Sequence, residues 1–283
     1  MPAAATLQGS DGATAPGAPV SSIRIVGSPV SVVSPQKVLS IFEQWVEDRR
    51  DRVVLLREVH GLMRARAERE VGEAQEQADL VLPDGMPLVW LARLAGFRAI
   101  SRVCGIDLLP AVCRFGVPRG WRHYFYGASP GVAEELAATL RRQMPGLEIV
   151  GVHCPPFRAL SPEEDAAVCA QIRAAQPHFV WVSLSTPKQD LWMAQHRGRC
   201  GGAIMVGVGA AFEINAGRIA RAPRWMQQSG LEWLYRLAQE PGRLWQRYAR
   251  VIPGFVMLAS IELARRRLAA LRQAGPPVAQ GRR

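Results

Sequence analysis

Lysine is nearly missing from this chain. Only Lys37 and Lys188 occur among 35 basic residues, so almost every cation is an arginine, whose planar fork suits bidentate contact with phosphate oxygens. Metal-ligand spacing is also missing. The five cysteines (104, 113, 154, 169, 200) form no CxxC pair and the five histidines no HExxH, so neither a metal site nor a cofactor is expected. "VHC" at 152–154 comes nearest, but adjacent residues on a strand point to opposite faces. An odd cysteine count without a secretory signal argues for reduced thiols in the cytosol. No run of about 18 apolar residues exists, so no spanning helix is expected. "VIPGFVMLASIELA" is short and interrupted by Pro253 and Gly254. Internal repeats, GxGxxG, and RNP, KH or zinc-finger patterns are absent too, which argues against a nucleic-acid partner.

What is present is a 283-residue chain, 48% hydrophobic, long enough for a full core. Residues 1–21 are rich in Ala, Gly, Pro and Ser and read as a disordered leader rather than a signal peptide. The net charge of +11 is unevenly placed: residues 218–283 hold 13 arginines against 3 glutamates. A nearly neutral unit, 22–217, is therefore expected to precede a basic helical appendage, 218–273, and a disordered tail, 274–283.

Short β-type runs alternate with helical patterns. Strands are expected at 22–27, 52–58, 78–84, 123–127, 147–153, 178–185 and 202–209. Helices are expected near 35–50, 61–77, 85–96, 129–146 (Ser129 as N-cap, Pro130 first), 161–175 and from Pro187. The alternation predicts an α/β fold, a doubly wound, mainly parallel, Rossmann-like sheet with a C-terminal helical appendage. In the appendage, Ser229 reads as the N-cap of a helix to 239. Pro241 opens a second helix, Pro253 ends it, and a last one runs over 254–273.

Ligands in such sheets bind outside the carboxyl ends of the strands, where Asp84, Gly127, Ser185 and Gly209 are expected to fall. Each has a plain reading beside a functional one. Asp84 of "LPDGMP" is an ordinary turn residue or an acid presented for chemistry. "FYGASPGV", with Gly127 and Ser129, is a common turn or an anion site at a helix N-terminus. Lys188, Gln189 and Asp190 of "STPKQD" favour a helix dipole, or read a phosphate and hydroxyls. The basic tail is a solvated face, a nucleic-acid grip in which interleaved Trp and Tyr stack bases, or an attachment to an anionic membrane surface with tryptophans at the headgroup level. The membrane is preferred, because no RNP, KH or zinc-finger pattern supports nucleic acid.

These motifs, with "RVCGIDLLP" and "GVGAAFEINAGRIARAPRWMQQSGLEWLYRLAQEPGRLWQRY", stand in the order that resembles the WecG/TagA/CpsF family of glycosyltransferases, over about residues 23–250. The resemblance implies a metal-independent, inverting enzyme at the cytosolic face of the membrane. It would move a sugar from a UDP-sugar to a polyprenyl-diphosphate-linked sugar for a cell-surface polysaccharide. Its appendage would associate with the membrane and bring arginines to the diphosphate. Matched by motif, Asp84 is the general base, and Arg102 and Gln189 are catalytic-site residues. Glu58, His60, Gly127, Ser129, Lys188, Asp190, Gly209, Glu213 and Arg221 are substrate-binding candidates. Arg236, Arg243 and Arg247 are assigned to the lipid diphosphate or the membrane. The chain departs from the family in "REVH", where Glu58 replaces a usual Asn, and in Asp190 and Glu213, each differing from the family acid by one methylene. The Glu58 change keeps an alternative open: an inactive nucleotide-sugar-binding or nucleic-acid-binding protein. The transferred sugar and any homo-oligomeric assembly are left open.

Overall fold

The computed structural model describes residues 20–273, apart from the side chains of Arg243 and residues 270–273. The expected tail, and all but residues 20 and 21 of the leader, lie outside them. Two strands, β1 (Ser22–Ile25) and β2 (Ser28–Ser31), open the described chain. Then follow α1 (Pro35–Asp48), β3 (Arg52–Arg57), α2 (Val59–Ala67), α3 (Arg69–Glu76), β4 (Leu80–Pro83), α4 (Met86–Leu94) and α5 (Gly105–Gly116). The middle of the chain gives β5 (Arg122–Gly127), α6 (Val132–Gln143), β6 (Glu148–His153), α7 (Pro162–Ala175), β7 (Phe179–Ser183), α8 (Lys188–Gln195) and β8 (Ile204–Gly207). Helices α9 (Ala211–Asn215), α10 (Arg224–Gln228), α11 (Glu232–Gln239) and α12 (Pro241–Gln273) complete it.

Six strands form one sheet in the order β4-β3-β8-β7-β5-β6, every neighbouring pair parallel. Both faces are covered, which is why strands such as "FVWVS" are apolar throughout. Val54, Leu56, Phe125, Trp181 and Val206 face a core shared with α1, α5 and α6. Their alternates Val53, Leu55, Tyr126, Val182 and Met205 face α7 and α8. The Rossmann-like, doubly wound arrangement expected from the sequence is what forms. β5 leads outward to β6 and β7 leads inward to β8, so the connections diverge between β5 and β7, the point at whose carboxyl edge sheets of this kind form a ligand crevice.

Several local expectations are corrected. "SIRIVG" joins no parallel sheet: it pairs antiparallel with β2, the chain turning at Val26 and Gly27, both at positive φ. The helix expected over 61–77 is two, α2 and α3, separated at the extended Glu68. Ser129 and Pro130 stay in the turn and α6 begins at Val132 behind Gly131, whose φ of +82° favours glycine. Ser229 ends α10 instead of capping α11. Pro253 does not end a helix, because α12 runs through it. The usual cost of an internal proline is about 3 kcal/mol. It is offset where Phe255 and Ala259 bury in a third core with Ile23, Ile25, Leu62, Leu88 and Val89, a large apolar side chain contributing about 1.5–3 kcal/mol. Glu262 adds a bond from the Val26 N–H at 2.6 Å, and Arg266 donates to the Arg24 carbonyl at 2.6 Å. The last helix is thus fastened to the hairpin, α2 and α4.

Candidate active site

Parallel strands deliver their carboxyl ends to one edge, so Glu58, Asp84, Gly127, Ser183 and Gly209 share it by topology. Asp84 follows β4, and its N–H donates to the Arg57 carbonyl at the end of β3 at 2.8 Å. Arg102 grips it from the loop before α5. Its Nε donates to the Asp84 carbonyl at 2.5 Å and its Nη2 lies 3.6 Å from Asp84 Oδ1. Burial raises the Asp84 carboxyl above its ordinary value, with the Arg102 cation and a hydrogen bond from the Cys104 thiol opposing and Glu232 and Glu58 reinforcing. Burial works against the Arg102 cation, but Cys104, Asp84 and Glu232 overcome it and its pKa is raised. A basic, partly shielded carboxylate beside a permanent cation is suited to accept a proton.

Glu58 takes the N-cap of α2, accepting from the His60 N–H at 2.5 Å and the Gly61 N–H at 2.9 Å. Burial raises its pKa, but the His60 side chain and these two N–H groups outweigh it, so the carboxyl stays below its ordinary value. The His60 ring lies 3.6 Å from the same carboxylate.

Gln189 is buried in the first turn of α8, and its Oε1 accepts from the Gly209 N–H at 3.1 Å. The Ser183 hydroxyl holds the Gly209 carbonyl at 2.7 Å. The next residue along, Asp190, has its carboxylate 3.0 Å from Arg57 Nη1, with neither side chain exposed, and also receives a side-chain hydrogen bond from Gln189. The structure therefore makes Asp190 a brace beneath Gln189 and gives it no surface toward the crevice. Lys188, by contrast, is exposed. At the switch point, Gly127 has φ +106°, and a Cβ there would come within 2.5 Å of the Ser183 carbonyl. Ala128 and Ser185, both at crevice turns, hold left-handed backbone at φ +65° and +63° without being glycine, a strain that clusters at functional sites. Ser129 is exposed in the turn before α6.

Glu213 of α9 has a buried Oε2 with no hydrogen-bond partner among the described residues. Arg221 donates two hydrogen bonds to the Asp107 carboxylate, at 2.5 and 2.6 Å. Arg218 does the same to Glu135 of α6 at 2.6 and 2.7 Å. Arg236 and Arg247 are half-buried and make no ion pair among the described residues, while the Arg243 side chain lies outside them.

Sequence reasoning missed Arg57, Cys104, Asp107 and Glu232. Arg57 and Glu232 carried no signal, because each acts through a partner far along the chain. It also missed a group of possible metal ligands, Asp165, Cys169 and His196, whose donor atoms lie within 4.8 Å of one another. That group lies between the start of α7 and the end of α8, and its carboxylate is already engaged by His196 at 2.7 Å and Arg199 at 2.6 Å. A cleft of about 460 Å³ between the hairpin and α2–α3, lined by Arg66, Arg69 and Glu73 among others, contains none of the predicted site residues.

Residues 23–269 match the sequence model of the Glycosyl transferase WecG/TagA/CpsF family. The chain is 33% identical over 179 residues to the N-acetylglucosaminyldiphosphoundecaprenol N-acetyl-beta-D-mannosaminyltransferase of Bacillus spizizenii, an alignment covering 63% of this chain and 67% of that protein. It is 29% identical over 180 residues to the protein of the same name from Bacillus subtilis, covering 64% and 68%.

Proposed function

Because the chain belongs to the WecG/TagA/CpsF family of glycosyl transferases, we propose a specific transfer for it. It moves a hexose, N-acetylhexosamine or its uronic acid from a UDP-sugar to a polyprenyl-diphosphate-linked sugar, with inversion and without a metal, during synthesis of a cell-surface polysaccharide. The acceptor class is supported by the names of the two relatives, both transferases acting on an undecaprenyl-diphosphate-linked sugar. The observation that carries the reading is Asp84 held at a strand end by Arg102.

In this reading Asp84 takes the proton of the acceptor hydroxyl as that oxygen attacks the anomeric carbon. The new C–O bond forms on the face opposite the bond breaking to the β-phosphate oxygen, so the configuration inverts and UDP leaves. Arg102, Arg221 and the N-terminus of α6, behind Gly127 and Ser129, meet the charge that develops on the diphosphate. Gln189, fixed by Gly209, and Glu213 read sugar hydroxyls. His60 and Lys188 flank that site, and Glu58 shapes it by capping α2. An Asn performs the same capping, so no observation favours the inactive or nucleic-acid-binding alternative.

Residues 22–217 form the transferase unit of this proposal and 218–273 a membrane-associating appendage. Among the described residues no helix is long and apolar enough to cross a membrane. The appendage instead exposes Trp225, Trp233, Trp245, Met257 and Ile261. With Arg236 and Arg247, these exposed groups suit peripheral binding to the anionic inner face of the cytoplasmic membrane, a role for which Arg243 is proposed from its place in the sequence.

The test is UDP release across a panel of UDP-sugars, with and without a short-chain N-acetylglucosaminyl-diphosphate lipid, Asp84→Asn beside the wild type. Acceptor-dependent release that falls about 10²- to 10⁴-fold in the variant is expected. Release at the wild-type rate would return Asp84 to the role of a turn residue.

A further inference from the structure

Arg102 stands between two carboxylates contributed by distant parts of the chain. On one side is Asp84, met through its carbonyl at 2.5 Å and its Oδ1 at 3.6 Å. On the other is Glu232, whose Oε2 accepts from Arg102 Nη2 at 2.5 Å across 130 residues of sequence. The three side chains are 26%, 18% and 17% exposed, so their charges are screened less than those of a surface pair. Glu232 opens α11, where an acid suits the helix dipole. That explains an acid at the position but not its reach to Arg102.

We propose that Glu232 is a positioning residue of the transfer reaction: it holds the Arg102 fork against Asp84 and so ties the docking of α11 to the geometry of the base. The inference rests on reading Asp84 as that base. A guanidinium held at Nη2 by Glu232 keeps its plane fixed, and with it the Nε–H that donates to the Asp84 carbonyl and the Nη2 that faces Asp84 Oδ1. Without Glu232 the fork is free to turn toward solvent.

The charges around Asp84 give the proposal a measurable sign. Arg102 and Cys104 face it from the loop before α5, Glu58 from the N-cap of α2 with His60 beside it, and Glu232 from α11. Glu232 and Glu58 disfavour its ionised form, whereas Arg102 and the Cys104 thiol favour it. Removing the Glu232 charge therefore lets Asp84 ionise at lower pH. A base works when ionised, so the acid limb of the rate profile moves to lower pH with it.

Glu232→Gln keeps an acceptor for Arg102 and removes the charge, Glu232→Ala removes both, and Glu232→Asp tests rescue. Turnover is followed from about pH 5 to about pH 9, and the Asp84 carboxyl is titrated by isotope-edited NMR, its signal identified by its loss in Asp84→Asn. In Glu232→Gln the acid limb and the Asp84 titration both move down in pH, with plateau kcat within about threefold of wild type. In Glu232→Ala kcat falls about tenfold or more with donor KM little changed, and Glu232→Asp restores most of it. A purely structural residue would lower the melting temperature and leave both titrations in place. An unmoved Asp84 titration in Glu232→Gln overturns the proposal, even if no donor is turned over. A shifted Asp84 titration in Glu232→Gln, together with a wild type that turns over nothing, supports the coupling and sinks the transferase reading instead.

Discussion

The α/β sheet and the three C-terminal helices treat charge in opposite ways. Residues before 218 are close to neutral, and the sheet's deepest charges are matched within it, as Arg57 against Asp190 shows with both side chains wholly buried. From residue 218 the chain carries 13 arginines and 3 glutamates, and Arg236 and Arg247 make no ion pair among the described residues. Apolar groups divide the same way. Strand side chains such as Phe125, Trp181 and Val206 are fully covered, whereas Trp245 is 62% and Met257 59% exposed. Exposed aromatics beside unmatched arginines suit a surface that is anionic outside and apolar within. The two regions meet where Glu232 reaches Arg102.

The comparison is broken most severely by unmatching the buried pair. Arg57→Met leaves Asp190 buried without its cation and is expected to cost about 3–5 kcal/mol of stability, read by denaturant unfolding. Arg57→Met with Asp190→Leu should recover most of that, because the desolvation penalty disappears with both charges. If the double variant were no better than the single one, the pair would not be the brace described here. A far smaller effect is expected at the rim. Glu58→Asn exchanges one helix cap for another and should change stability by less than about 1 kcal/mol, with turnover retained. A large loss of turnover at unchanged stability would give the Glu58 carboxylate a direct part in binding substrate.

The sheet was legible because strands buried on both faces become short apolar runs, and "HYFYG", "FVWVS" and "IMVG" are just that. The hairpin was not. Pro29 in β2 reads as a loop residue, and only pairing at a sheet edge tolerates it there. Pro253 misled for the opposite reason: local chemistry predicts a stop, and the burial of Phe255 and Ala259 overrides it. At the site, strand ends and motif order pointed to Asp84, Arg102 and Gln189. Adjacent residues in "PKQD" could not be told apart, because successive positions on a helix turn by about 100°. That rotation sends Gln189 to Gly209 and Asp190 to Arg57. Nothing in periodicity or spacing links Arg102 to Glu232, so a contact across 130 residues had to be seen in three dimensions.

The division of labour between the two regions is tested most directly by turnover on two acceptors, one short-chain and water-soluble, the other long-chain in anionic vesicles. The protein to compare with wild type carries Trp245→Ser, Met257→Ser and Ile261→Ser, three exposed positions on α12. Turnover on the vesicle acceptor is expected to fall about tenfold or more, as membrane affinity is lost with the buried apolar area, while turnover on the short-chain acceptor stays at the wild-type rate. Equal turnover by both proteins on vesicles, or an equal fall on both acceptors, would contradict the account.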